Sequence, residues 1–95
     1  MAKKGPKLSD EQMQAIARAV ADPRRFAILQ QIASKESCAC GAVREQQPIS
    51  AATISHHMKE LADAGLVVVN HEGRTAELTF QRGVWDSYLS QLANI

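Results

Sequence analysis

Ninety-five residues, 45% of them apolar and 22% charged, with a formal net charge of +1, describe one small domain. A chain this short buries only ~60–68% of its unfolded surface, so its core is either very regular or completed by a partner subunit. The longest apolar run, Ala64 to Val69, is far short of the ~20 residues of a membrane span, and no apolar stretch of signal-peptide length follows the lysines of residues 1–8.

Residues 1–8 read as a basic flexible arm, and 9–95 as a single domain. Lys3, Lys4, Lys7, Arg18, Arg24 and Arg25 crowd the first quarter against Asp10, Glu11 and Asp22. A basic segment of this kind can meet phosphates even when the whole chain is near neutral. Ser9-Asp10-Glu11-Gln12 is a capping-box pattern; Ser9 accepts from the helix start and Gln12 reaches back. Met13, Ile16, Ala17 and Val20 then repeat at helical spacing. Asp22-Pro23 ends this helix and starts another, because proline suits a first helical position where no N–H is needed. Phe26, Ile28, Leu29, Ile32 and Ala33 give the second helix a wide apolar face.

Ser34 to Ser37 is a polar break, and a short, weak helix follows from Cys38 to about Glu45. Pro48 ends it by pushing Gln47 out of helical geometry. Ser50 caps a strong helix from Ala51 to about Ala64, closed by Gly65 where a left-handed residue is wanted. Leu66–His71 and Thr75–Phe80 are β-rich, the second alternating strictly, with Glu72-Gly73-Arg74 as the turn between them. A last amphipathic helix, about Val84 to Ala93, sets Trp85, Tyr88, Leu89 and Leu92 on one side. The order predicts a mainly α fold with a small β-hairpin, a winged helix-turn-helix. The apolar stripes of the first and last helices exceed what so small a core absorbs, which predicts a dimer through those two helices.

At about 100° per residue, Ile54, Met58 and Leu61 of the capped helix face the core. Ala52, Ser55, His56, Lys59 and Asp63 face outward, with Thr53 and Glu60 at the edges. Short side chains near a helix start allow close approach to base edges in a major groove, while hydroxyls and free amides suit phosphates. Asp63 and Glu60 belong at the end turned away from DNA. His57 borders the buried stripe and is expected half buried in a helix-to-helix hydrogen bond; with Lys59 it is also kept in the DNA-facing set. Arg74, at the wing tip, suits a narrow minor groove. No Ser/His/Asp order, Gly-rich phosphate loop or carboxylate pair supports an enzyme.

The stretch Ala21-Asp22-Pro23-Arg24-Arg25-Phe26-Ala27-Ile28-Leu29 resembles a signature of the ArsR/SmtB family of bacterial winged-helix repressors. Ile49 to Leu61, continuing through Ala62-Asp63-Ala64-Gly65-Leu66-Val67, is similar to that family's recognition-helix segment. The resemblance covers about residues 10–92. It implies a homodimeric repressor occupying a pseudo-palindromic operator in double-stranded DNA, often released by an inducer. Its DNA-contacting positions fall on Ser50, Ala52, Thr53, Ser55, His56 and Arg74. Ala51 and Ala52 depart from the polar residues many members carry there.

Two cysteines one residue apart make no disulfide framework and point to a reducing cytoplasm. By the resemblance, Cys38-Ala39-Cys40 falls where arsenic-sensing members carry Cys-x-Cys, but the position of their third thiolate is Val43 here. Two thiolates can still take a trivalent arsenical or a soft metal, act as a redox switch, or be plain semi-buried residues. The last helix has only Asp86 and no histidine, so the family's Asp/His zinc arrangement there is not expected. The fold itself requires no cofactor. A winged-helix module that binds protein instead of DNA is the alternative, favoured by the near-neutral charge and Ala51-Ala52.

Overall fold

The computed structural model describes residues 7–35, 38–46, 48–72 and 75–95. Its elements are α1 (Asp10–Ala21), α2 (Pro23–Ala33), β1 (Cys38–Ala39), α3 (Cys40–Gln46), α4 (Ala51–Asp63), β2 (Val67–Glu72), β3 (Thr75–Phe80) and α5 (Arg82–Ala93). Side-chain caps set off α1 and α2, whereas α5 starts without one. Ser9 Oγ accepts from Gln12 N at 3.1 Å, and Asp22 Oδ1 accepts from Arg24 N at 2.9 Å and Arg25 N at 3.2 Å. Each of these caps satisfies amides that the helix leaves without partners. The Gln12 side chain does not reach back as a capping box would have it. Its Nε2 donates instead to Ala64 O at 3.4 Å, tying α1 to the end of α4.

The core draws on almost every element. Ile16, Ile28, Ile32, Val43, Ile54, Leu61, Leu66 and Leu78 are fully buried, each side chain contributing about 1.5–3 kcal/mol relative to exposure. In α1 the buried small residue is Ala19, while Ala17, expected on the apolar stripe, is exposed. The inner face of α1 is centred on Ile16 and Ala19, which leaves Ala17 on its flank.

Leu8 corrects the boundary of the amino-terminal arm, since it is buried rather than free. Its N–H donates to Gln91 Oε1 at 2.7 Å, and Gln91 Nε2 donates to its carbonyl at 3.2 Å. A side-chain amide on α5 thus pairs with the backbone as a neighbouring strand would. Lys3 and Lys4 lie outside the described residues.

The sheet has three antiparallel strands in the order β1-β3-β2, not the two of a bare hairpin. β2 and β3 pair from Val67↔Phe80 to Glu72↔Thr75, and Cys38 and Ala39 pair with Leu78 and Glu77. These two residues were expected to open a helix. They form a strand because the outer edge of β3 offers free backbone groups, and two residues carry no alternation to read beforehand. The helix behind them starts at Cys40. Gly73 and Arg74, the expected turn, lie outside the described residues.

At the other end Trp85 and Tyr88 turn inward, their rings 5.6 Å apart, with Phe80 6.4 Å from Trp85. Leu89 and Leu92 stay 46% and 43% exposed. Among the described residues, no helix is long and apolar enough to cross a membrane.

Candidate nucleic-acid interface

Helix α4 is fixed along its inner side and open along its outer one. Ile54 and Leu61 are fully buried and Met58 nearly so. Ala51, Ala52, Ser55, His56, Lys59 and Asp63 are exposed, with Thr53 and Glu60 at intermediate exposure. At its start Ser50 Oγ accepts from Thr53 N at 3.2 Å, and the Ser50 and Thr53 hydroxyls lie 2.9 Å apart. Two hydroxyls carry two protons, and their mutual bond consumes one. The other remains to donate outward, so capping leaves this end of the helix able to bind an acceptor.

The end of α4 is closed by a Schellman motif. Gly65 N donates to Ala62 O at 2.9 Å and Leu66 N to Leu61 O at 3.0 Å, with Gly65 at φ +82°. A side chain is disfavoured in that left-handed region. The chain then enters β2, and Gln81 N donates to Leu66 O at 2.8 Å, closing the base of the wing against the helix end.

His57 departs from the DNA-facing set. It is 5% exposed, and its Nδ1 accepts from Arg25 Nε at 3.2 Å, the hydrogen bond between helices that its position beside the buried stripe suggests. Arg25 Nη1 also reaches the carbonyls of Arg18 at 3.4 Å and Ala19 at 3.5 Å. One guanidinium therefore ties α1, α2 and α4, with its charge beside the last turn of α1, where a cation is favoured. Accepting at Nδ1 requires a neutral ring protonated at Nε2. Burial, with the Arg25 charge second, holds the His57 pKa below its ordinary value, in keeping with that tautomer. Sequence reasoning did not single out Arg25; its signal was an arginine in the first turn of a buried helix, facing a histidine on a buried stripe.

Lys59 Nζ and Asp63 Oδ2 form an ion pair at 2.8 Å, with both side chains largely exposed. This bond raises the Lys59 pKa and keeps the ammonium charged. Both partners are exposed to solvent, which screens the pair, so a phosphate can take the lysine from Asp63 readily. Asp63 itself is the last residue of α4, at the end away from the capped start. Arg74 lies outside the described residues.

Between α3, α4 and the two long strands runs an open groove of about 670 Å³, bordered by Arg44, Ser55, Lys59 and His71 over a floor that includes Met58 and Leu78. Helix and wing thus flank one shared channel. Arg44 and His71 were not anticipated; single charged residues on a weak helix and a strand carry no pattern that marks them.

Cys38 lies in β1 and is 2% exposed, whereas Cys40 opens α3 at intermediate exposure. Burial raises both thiol pKa values above the usual range, which keeps them protonated and slow as nucleophiles. Cys40 Sγ lies 3.7 Å from Met58 Sδ. Val43, at the position of the third thiolate in arsenic sensors, is fully buried. Among the described residues, no group of three or more His, Cys, Asp or Glu side chains could hold a metal ion. These donors do not fit a three-thiolate arsenite site.

A family model described as a helix-turn-helix domain matches residues 20–70. The chain is 34% identical over 85 residues to the uncharacterized HTH-type transcriptional regulator YceK of Bacillus subtilis (strain 168), covering 87% of this chain and 85% of that one. It is 36% identical over 66 residues to the arsenical resistance operon repressor of Staphylococcus xylosus, covering 70% and 62% of the two chains. It superposes with a TM-score of 0.81 on the crystal structure of an ArsR family transcriptional regulator, at 21% identity over 94% of this chain and 91% of that one. The solution structure of a homodimeric winged helix-turn-helix DNA-binding domain from Mycobacterium bovis gives a TM-score of 0.73 at 24% identity, over 99% and 90%. These two likenesses carry the fold, and the sequence relatives carry the kinship. The chain belongs to the ArsR family of winged helix-turn-helix, DNA-binding transcriptional regulators.

Proposed function

We propose that the protein is a homodimeric repressor that occupies a pseudo-palindromic operator, each protomer inserting the first turns of α4 into a major groove. The observation that carries this reading is the division of α4. Its inner side is locked by Ile54, Met58, Leu61 and the Arg25–His57 bond, while an outer side of small and polar residues is left exposed beside the wing. Ser50, Thr53 and the α4 amides would hold phosphate; Ser55 and His56 would meet base edges, and Ala52 would let the helix approach closely. Lys59 would supply charge, and Arg74 would enter the minor groove.

The dimer is proposed to form through α1 and α5, whose Leu89 and Leu92 are the exposed apolar side chains that such a seam would cover. Release by a thiol-directed inducer is proposed to act through Cys40, the more accessible thiol, which touches Met58 of α4. The relative named as an arsenical resistance operon repressor supports a trivalent arsenical carrying two exchangeable bonds as that inducer. Cys38 would join only after β1 parts from β3.

Fluorescence anisotropy of the reduced protein against DNA from upstream of its own gene, with a scrambled duplex as control, tests the reading at two salt concentrations. Tight, salt-sensitive binding that prefers the upstream duplex supports a repressor. Equal binding to both duplexes would argue against repression at that site. Adding phenylarsine oxide to the same sample should then lower the anisotropy, and a Cys40→Ser variant should resist it.

A further inference from the structure

Arg44 and His71 have no role in the reading above, and the geometry gives them one. Both are exposed and both border the groove between α3, α4 and the wing, together with Ser55 and Lys59. Neither Arg44 nor His71 makes a hydrogen bond or ion pair among the described residues, and no carboxylate side chain lines the groove among them. Its floor, with Met58, Leu78 and Val69, is apolar, so a charge contact at its rim is screened less than one on an open surface.

A winged helix that seats its recognition helix in a major groove and its wing in the adjacent minor groove must straddle the sugar-phosphate strand that separates the two. That strand has one place to run, between helix and wing. We infer that the groove is the seat of this backbone strand, and that Arg44 of α3 and His71 of β2, with Lys59 of α4, bind its phosphates. The inference rests on the repressor reading and extends it to a second, sequence-independent contact. Three elements then grip one strand, and the planar guanidinium of Arg44 suits two oxygens of one phosphate.

The test is the salt dependence of binding by the full chain to the upstream and scrambled duplexes, for the parent, Arg44→Gln, Arg44→Lys and the double variant Arg44→Gln/Lys59→Gln. Each lost phosphate contact should flatten the log–log slope by about 0.9, so the parent's advantage over Arg44→Gln should shrink about 3.5-fold between ~50 and ~200 mM salt, and about 12-fold over the double variant. Arg44→Lys should recover the slope, and His71→Ala should weaken both duplexes by one common factor. Arg44→Gln with the parent's slope and melting temperature would overturn the inference while leaving the repressor reading intact. So would a loss confined to the upstream duplex, which would mark Arg44 as a base reader. A parent without salt-dependent affinity for either duplex would overturn both.

Discussion

The joint between α4 and the wing turns on one glycine, and replacing it should be costly in a calculable way. Gly65 sits at φ +82°, and a Cβ built there would lie 2.7 Å from Gln12 Nε2. In Gly65→Ala the left-handed backbone costs about 1–2 kcal/mol for an L-residue with a side chain. The Gln12 amide is the tip of a flexible side chain, so it moves aside; moving breaks its bond to Ala64 O, worth about 0.5–1.5 kcal/mol. Together these predict a loss of about 2–3 kcal/mol, or roughly 10–20 °C in melting temperature for a domain of this size. Urea unfolding followed by circular dichroism measures it, with an unchanged m-value expected because the surface exposed on unfolding is the same. The two contributions separate in a Gln12→Ala background. There Gly65→Ala should cost only the backbone part, leaving a coupling of about 1 kcal/mol between the sites. A Gly65→Ala variant within about 0.5 kcal/mol of the parent would refute the strain argument. An equal cost in both backgrounds would refute the role given to Gln12.

Three further outcomes are expected. His56→Ala should weaken operator binding by on the order of 1–3 kcal/mol without moving the melting temperature, since the side chain is exposed; titration against the upstream duplex checks this. Acidification should destabilise the fold, because His57 titrates lower in the folded chain than its ordinary 6.5 and the unfolded chain therefore takes up the proton first. Stability present above that value is lost as pH falls below it. A second loss begins below 3.8, where the amides of Arg25 and Arg24 hold the Asp22 carboxyl lower. Denaturation curves between pH 7.5 and 5.5 should show the first loss in the parent and a smaller one in His57→Gln. Replacing Leu89 and Leu92 by lysine should leave the protomer folded, as both are substantially exposed, and convert a sedimenting dimer to monomer.

The elements whose sequence carries a local physical signal are legible in the sequence alone. Ser9, Asp22 and Ser50 each accept the amide bonds that capping residues are suited to, and Gly65 holds the left-handed position. The inward stripe Ile54–Met58–Leu61 follows from helical period alone. β1 was not legible, because a two-residue strand exists only through the edge it pairs with. Leu8 was not legible either, since its burial depends on Gln91, 83 positions away in the chain. The candidate site divides in the same way. The outward face of α4 could be read from periodicity, whereas Arg25, Arg44 and His71 acquire their meaning from neighbours that only the tertiary structure supplies.

The composition of that outward face bears on how the protein would choose its DNA. Bidentate base reading is chiefly the work of Arg, Lys, Asn and Gln, and between Ala51 and Asp63 only Lys59 belongs to that group. Lys59 borders the groove toward the wing, which directs it to phosphate. In the proposed complex, direct readout would then fall to Ser55 and His56, with two alanines able to pack on thymine methyls. Discrimination within a half-site should therefore lie near the lower end of the ~1–3 kcal/mol that a mismatched base pair costs. In the proposed dimer the stronger constraint would be the fixed separation of two α4 helices, which requires half-sites on one face of the duplex. Inserting about 5 bp between half-sites turns one of them roughly half a helical turn away, so only one protomer can seat at a time. Such an insertion should cost more affinity than any single substitution inside a half-site, measured as competition against the parent duplex at fixed salt. If instead one base pair matters more than the spacing, the recognition helix reads sequence through a contact that its exposed face does not contain, and the wing becomes the place to look for it.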